Sequence, residues 1–252
     1  MTPVGSGAAT TRGFVLLFQG RTGSSYLTQC LDAHPSVRML PEVFGDMGFK
    51  TPIEEREGRA AEQLQWLDRF FSEPVGPGLL ARGFKTKMTD VLDVRGFTER
   101  LRARKVHVLH MTRRNLVKLA VSELNAARLH RERGVWNLEP GQEALPPFRV
   151  DPEAFDEMLR RKERFEGLLA DYVRNELALP TLSLAYEDLL RDREAVLDRI
   201  WGFLGVPGAR TEGSLRKNTS DDLRRVLLNF DDLRARYAGT PYEPMFDEVL
   251  VP

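Results

Sequence analysis

The sequence holds one cysteine, Cys30, in 252 residues, so no intrachain disulfide can form and a reducing compartment is expected. No apolar run approaches the roughly 20 residues that cross a bilayer. Residues 1–11 are small and polar and lack the hydrophobic stretch of a secretory signal. Residues 1–12 are therefore expected to be a flexible tail, residues 13–252 one domain, and the location cytoplasmic. Neither sign of charge is in excess, since Lys plus Arg and Asp plus Glu number 37 each. General nucleic-acid binding leans on a basic surplus and is disfavoured; positive charge for an anion has to be gathered locally. The four histidines are scattered, none with a Cys or carboxylate partner at metal-binding spacing, and no metal is expected. No Lys follows Gly23, which counts against an ATP-type phosphate loop.

What is present is ordinary material for a packed core, 42% hydrophobic, in an alternating arrangement. Apolar runs at residues 14–18, 37–40, 79–85, 105–111 and 182–185 read as strands. Between them, residues 26–31, 54–71 and 91–104 and the stretch after residue 114 carry helical spacing. Strand–helix alternation of this kind implies right-handed crossovers and a parallel sheet. The expectation is a single α/β domain, a parallel sheet flanked by helices, with its ligand at the carboxyl ends of the strands. Residues 128–151 turn polar and Gly/Pro-rich and read as a long functional loop, with Trp136 and Phe148 as candidate walls of a substrate pocket. Asp151-Pro152-Glu153 starts the next helix by an Asp cap and Pro at the first turn. Leu223, Val226, Leu227, Phe230, Leu233 and Tyr237 mark a further helix near the C-terminus.

The most informative stretch begins at the end of the first strand: Gln19-Gly20-Arg21-Thr22-Gly23-Ser24-Ser25-Tyr26. Gly20 and Gly23 mark a tight turn, and the serines stand where a helix begins. Backbone N–H groups, hydroxyls and the positive helix end would converge on an anion, with Arg21 adding a charge. Further on, Arg114 follows the strand that ends at Met111, and Ser122 stands eight residues later within the next helix.

These motifs resemble those of the sulfotransferases that use 3′-phosphoadenosine 5′-phosphosulfate (PAPS). The first is similar to the 5′-phosphosulfate loop, and Arg114 with Ser122 to the 3′-phosphate site, although Leu116 stands where that family usually has Pro. Leu184-Ala185-Tyr186-Glu187-Asp188-Leu189 and Phe203-Leu204-Gly205 are similar to late segments of the family, which implies an adenine contact for Tyr186. Arg216 and Lys217 match a basic loop that helps cover the 3′-phosphate. The resemblance runs from about residue 13 to 242. It is nearest in flavour to bacterial carbohydrate-type and nodulation-factor-type members, on Arg-Thr-Gly-Ser-Ser-Tyr and His34-Pro35.

The resemblance implies sulfuryl transfer from PAPS to a hydroxyl of a carbohydrate or other small acceptor, without metal. Arg21, Thr22, Gly23, Ser24, Ser25, Tyr26, Arg114, Ser122, Tyr186, Arg216 and Lys217 would hold the donor. Glu42, after Pro41 at the second strand's end, is the expected general base, and His110 its rival. Arg21 and Lys85 would neutralise the leaving oxygen; Arg21 cannot readily give up a proton, so its part is electrostatic. Two other readings remain open at this point. A P-loop kinase with a degenerate loop would want a loop Lys and an acidic strand end, and His110-Met111-Thr112 offers no Asp. A non-catalytic nucleotide-binding module would want the base missing, and Glu42 is present.

Overall fold

Residues 14–17 are apolar without alternation, and the strand they form is buried on both faces, which requires layers of structure above and below it. The computed structural model describes residues 11–48, 51–138, 141–215 and 219–250. In chain order they form β1 (Arg12–Phe18), α1 (Ser24–Asp32), β2 (Val37–Glu42), α2 (Arg56–Ser72), β3 (Ala81–Thr86), α3 (Val94–Ala103), β4 (His107–Thr112), α4 (Leu116–Arg133) and α5 (Pro152–Asp171). The remaining elements are β5 (Thr181–Ala185), α6 (Tyr186–Arg191), α7 (Arg193–Leu204), α8 (Phe230–Arg236) and α9 (Glu243–Asp247). The strands make one parallel sheet in the order β2-β3-β1-β4-β5. This is the expected α/β architecture with helices on both sides.

Alternate residues of each strand feed different cores. Phe14, Leu16 and Phe18 pack with Leu109, Met111, α1 and α7, including Trp201. Val15 and Leu17 pack on the other face with Val108, Phe84, Phe97, Leu67 and Phe70. A third cluster joins α4, α5, α8 and α9 through Val117, Val121, Phe155, Leu233 and Phe246. Asp151 caps α5 as expected, its side chain accepting from Ala154 N.

Two local expectations are corrected. The polar loop is shorter than residues 128–151, because α4 runs on to Arg133 and stops at Gly134, whose φ of 72° suits a helix end. Near the C-terminus the apolar series is not one helix: a single 3-10 turn, Leu223–Arg225, precedes α8. Between them Leu227 pairs with Phe148 as an isolated parallel bridge. The same residues are buried at the same core, reached by a turn and a bridge in place of continuous helix.

Candidate functional site

The turn after β1 brings the backbone round through two left-handed residues. Arg21 has φ 71° and Gly23 φ 81°; the strain of a non-glycine residue in that region, about 1–3 kcal/mol, is typical of functional turns. Thr22 is buried, and its Oγ1 donates to Gln19 O at 2.9 Å, closing the turn from inside. A Cβ on Gly23 would stand 2.6 Å from Tyr186 Cδ2, so the glycine also lets the aromatic ring lie against the loop. α1 then begins at Ser24 with no side-chain cap, leaving its first N–H groups directed out of the turn.

A cavity of about 350 Å³ opens there. Of the residues expected to hold a donor, Arg21, Gly23, Ser24, Ser25, Tyr26, Ser122 and Tyr186 line it. Arg21 Nε donates to Ser122 Oγ at 3.3 Å, while its Nη1 reaches Trp136 O at 3.1 Å and Asn137 Oδ1 at 3.0 Å. Ser122 is thus tied to the loop by a direct contact between the two motifs. Thr22 does not line the cavity. Arg216 and Lys217 lie outside the described residues; Leu215 and Thr219, on either side of them, line the wall.

Arg114 does not line the cavity. Its side chain is exposed and turned to Asp188, and the cavity is lined by Arg113 instead. Arg113 is buried, packs 4.5 Å over the Tyr186 ring and donates from Nη1 to Arg21 O at 3.2 Å. Its Nε is buried with no hydrogen-bond partner among the described residues. The exchange arises from how α4 begins. Buried Glu187 accepts from Arg114 N and Asn115 N, both at 3.1 Å, and Asn115 caps the helix by accepting from Lys118 N. Those bonds hold the chain so that Arg113 faces in and Arg114 faces out. Glu187 was visible only as part of Tyr-Glu-Asp, and the paired arginines were the one hint that the neighbour could serve.

The second group of expected residues stands at the ends of β2 and β3. Lys85 Nζ donates to Ser25 Oγ at 2.8 Å, which links this group to the cavity wall. Glu42 accepts from Lys87 Nζ at 2.7 Å and lies 3.8 Å from Lys85 Nζ. Burial lowers the Lys85 ammonium to about 8, with Glu42 opposing the shift and Lys87 and Arg21 adding to it. Sequence reasoning gave Lys87 no role; two residues beyond Lys85, it reaches the same Glu42 and, like Lys85, lies over the Phe18 ring.

His110 does not join them. Leu16 pairs with Lys85 and Leu17 with His110, and successive strand residues face opposite sides, so Lys85 and His110 lie on opposite faces of the sheet. His110 Nε2 is buried with no hydrogen-bond partner among the described residues and stands 4.0 Å from Glu166 Oε1. Burial lowers its pKa, which keeps the ring neutral at pH 7. Trp136 and Phe148 do not line the cavity: Trp136 stacks on His130 at 4.3 Å, and Arg128 sits over Phe148 at 5.1 Å. Among the described residues no helix is long and apolar enough to cross a membrane, and no group of three or more His, Cys, Asp or Glu is placed to hold a metal.

No family model matches the chain. Among curated proteins it is similar to nodulation protein H of Rhizobium tropici, 25% identical over 239 residues that cover 93% of the chain and 92% of that protein. Nodulation protein H of Rhizobium meliloti is likewise 25% identical, over 249 residues covering 94% and 95%. Among solved structures the fold is similar to that of a sulfotransferase from Alicyclobacillus acidocaldarius, with a TM-score of 0.51, 20% identity and 94% of each chain covered.

Proposed function

We propose that the chain is a PAPS-dependent sulfotransferase, which transfers a sulfuryl group from PAPS to a hydroxyl of a carbohydrate or other small acceptor, in the cytoplasm and without a metal; its similarity to nodulation protein H over most of both chains and its sulfotransferase-like fold support that reading. The observation that carries the donor reading is the convergence of Arg21, Arg113 and Ser122 with the Gly23-Ser24-Ser25 turn on one cavity. Two guanidiniums, two serine hydroxyls at a helix start and a third from α4 suit a ligand with phosphate at both ends. The buried, unpartnered Arg113 Nε is a donor that a phosphate oxygen would satisfy. The Tyr186 ring, held between Arg113 and Gly23, offers a flat face to a base.

The donor supplies the sulfuryl group and a leaving phosphate whose charge has to be met. Arg21 and Lys85 are the cations for that task. Lys85, lowered to about 8, is still mostly protonated at neutral pH and can also release a proton, which Arg21 cannot. Glu42, half-buried beside two ammonium groups, is the proposed base for the acceptor hydroxyl. The polar group at the ends of β2 and β3 favours an enzyme over a binding module of the same fold, which would have no use for it.

Calorimetric titration with 3′-phosphoadenosine 5′-phosphate (PAP) and AMP tests the donor reading. PAP is expected to bind far more tightly; equal affinity removes its support. Labelled PAPS offered with a panel of glycans, phenols and steroids then identifies the acceptor class.

A further inference from the structure

Arg38 and Arg82 are register partners on the adjacent strands β2 and β3, so two guanidinium-bearing side chains leave the same face of the sheet about 4.8 Å apart. Like charges directly across a strand pair destabilise it. Arg82 is buried, 8% exposed, and Arg69 approaches from α2. Among the described residues none of the three makes an ion pair. Arg82 Nη1 donates to Glu73 O at 2.8 Å at the end of α2, and its guanidinium lies 5.5 Å over Phe70. One carbonyl takes one of its five donors. Burial lowers the Arg82 pKa, Glu73 opposes that shift and Arg38 adds to it.

These groups line one cavity of about 380 Å³, with Glu73 as its carboxylate and Leu40, Trp66 and Phe70 as its apolar wall. Trp66 and Phe70 stack at 4.8 Å and 11°. The cavity shares no residue with the donor cavity. It lies toward the starting ends of β2 and β3, and on the sheet face opposite Lys85, because Leu40 pairs with Phe84, one residue before it. The volume is in the range that holds small organic ligands.

We propose that this cavity is a second ligand site, remote from sulfuryl transfer, which takes a phosphate monoester with an apolar body. Three guanidiniums against one carboxylate leave two positive charges in excess, matched to the dianion of a phosphate monoester at pH 8. The ester's apolar part would lie on Leu40, Trp66 and Phe70. Binding would place an oxyanion between Arg38 and Arg82 and relieve a repulsion that the empty fold carries.

The test is a calorimetric titration of phenyl phosphate at pH 8 into protein saturated with PAP, which occupies the donor cavity. Wild type is expected to bind, with Arg38→Ala and Arg69→Ala each weakened at least tenfold and PAP affinity unchanged in both. Both arginines are exposed, so folding is not at risk. In buffer free of phosphate and sulfate, Arg38→Ala should melt at or above the wild-type temperature, since the variant loses only a repulsion. Inorganic phosphate should bind more weakly than phenyl phosphate, and phenyl sulfate, a monoanion, more weakly than either. No saturable binding in wild type overturns the proposal. So does equal affinity in the arginine variants, a clear drop in the melting temperature of Arg38→Ala, or a preference for phenyl sulfate.

Discussion

Lys85 sits where the loop cavity and the β2–β3 strand ends meet, bonded to Ser25 on one side and 3.8 Å from Glu42 on the other. Its lowered value has a definite sign. Burial favours the neutral amine, so the folded protein gives up this proton at about 8 and the unfolded chain at its ordinary 10.5. The folded state thus binds fewer protons between those values, and Lys85 contributes stability that rises with pH across that window. If its charge serves turnover, activity falls as pH rises through about 8. Lys85→Arg should move that limb to higher pH in a pH–rate profile while lowering the maximum, because Arg keeps the charge but not the transferable proton. Glu42→Gln should lower turnover by roughly 10² to 10⁴ with PAP affinity nearly unchanged. It should also shift the limb downward, since Glu42 is what holds the Lys85 value up. A variant that turns over normally removes Glu42 from the reaction. The two arginines after β4 separate equally sharply. Arg113→Ala should cost about 2–5 kcal/mol of PAP affinity if the buried charge meets a phosphate. Arg114→Ala, which breaks an exposed pair with Asp188, should leave it within about twofold. Calorimetry on both variants decides between them.

At the scale of elements, the start of α4 is where α6 imposes itself on the site. Glu187, in the first turn of α6, accepts two backbone N–H bonds at the beginning of α4, and Tyr186 beside it supports Arg113. Glu187→Gln keeps the shape but loses the charge that favours a helix N-terminus, and a hydrogen bond to a charged group contributes about 1.5–3 kcal/mol. Unfolding in urea should show a loss of about that size, and PAP affinity should fall with it as Arg113 loses its fixed approach. A stability loss with unchanged PAP affinity would mean that Arg113 is positioned by other contacts. Gly23 is the matching element on the loop side. Its φ of 81° and the ring 2.6 Å from where a Cβ would stand leave no room for Ala without moving Tyr186. Gly23→Ala should therefore lower both melting temperature and PAP affinity.

At the scale of the molecule, the third core holds α4 and α5 to α8 and α9, and residues far along the chain complete it. Phe246 is 1% exposed among Phe155, Phe230 and Tyr237. Asn115, the cap of α4, also donates to Met245 O at 2.8 Å and to Glu248 Oε2 at 2.7 Å. Phe246→Ala should cost about 3–5 kcal/mol by cavity formation, and PAP should recover part of the melting temperature because it binds only the folded state. A cost below about 1 kcal/mol would show that this end of the chain is not integral to the core.

The sequence by itself determined the features that depend on neighbours along the chain. An unbroken apolar run made a strand buried on both faces, glycines on either side of Arg21 made the turn, and serines after it began the helix. Strand–helix rhythm was enough for a parallel sheet, and Asp151-Pro152 for a helix start. Tertiary structure decided everything that depends on register and on which of two adjacent side chains faces in. Arg113 and not Arg114 lines the cavity because a carboxylate 73 residues away holds the backbone of Arg114. His110 was separated from Lys85 because alternate strand residues leave opposite faces, and strand partners cannot be read from local pattern. The apolar series near the C-terminus kept its burial but not its helix, since Phe148, from outside the segment, donates to Val226 O and accepts from Leu228 N. The pairing of Arg38 with Arg82 is of the same kind: each is unexceptional in its own strand, and only the register of β2 on β3 sets them side by side.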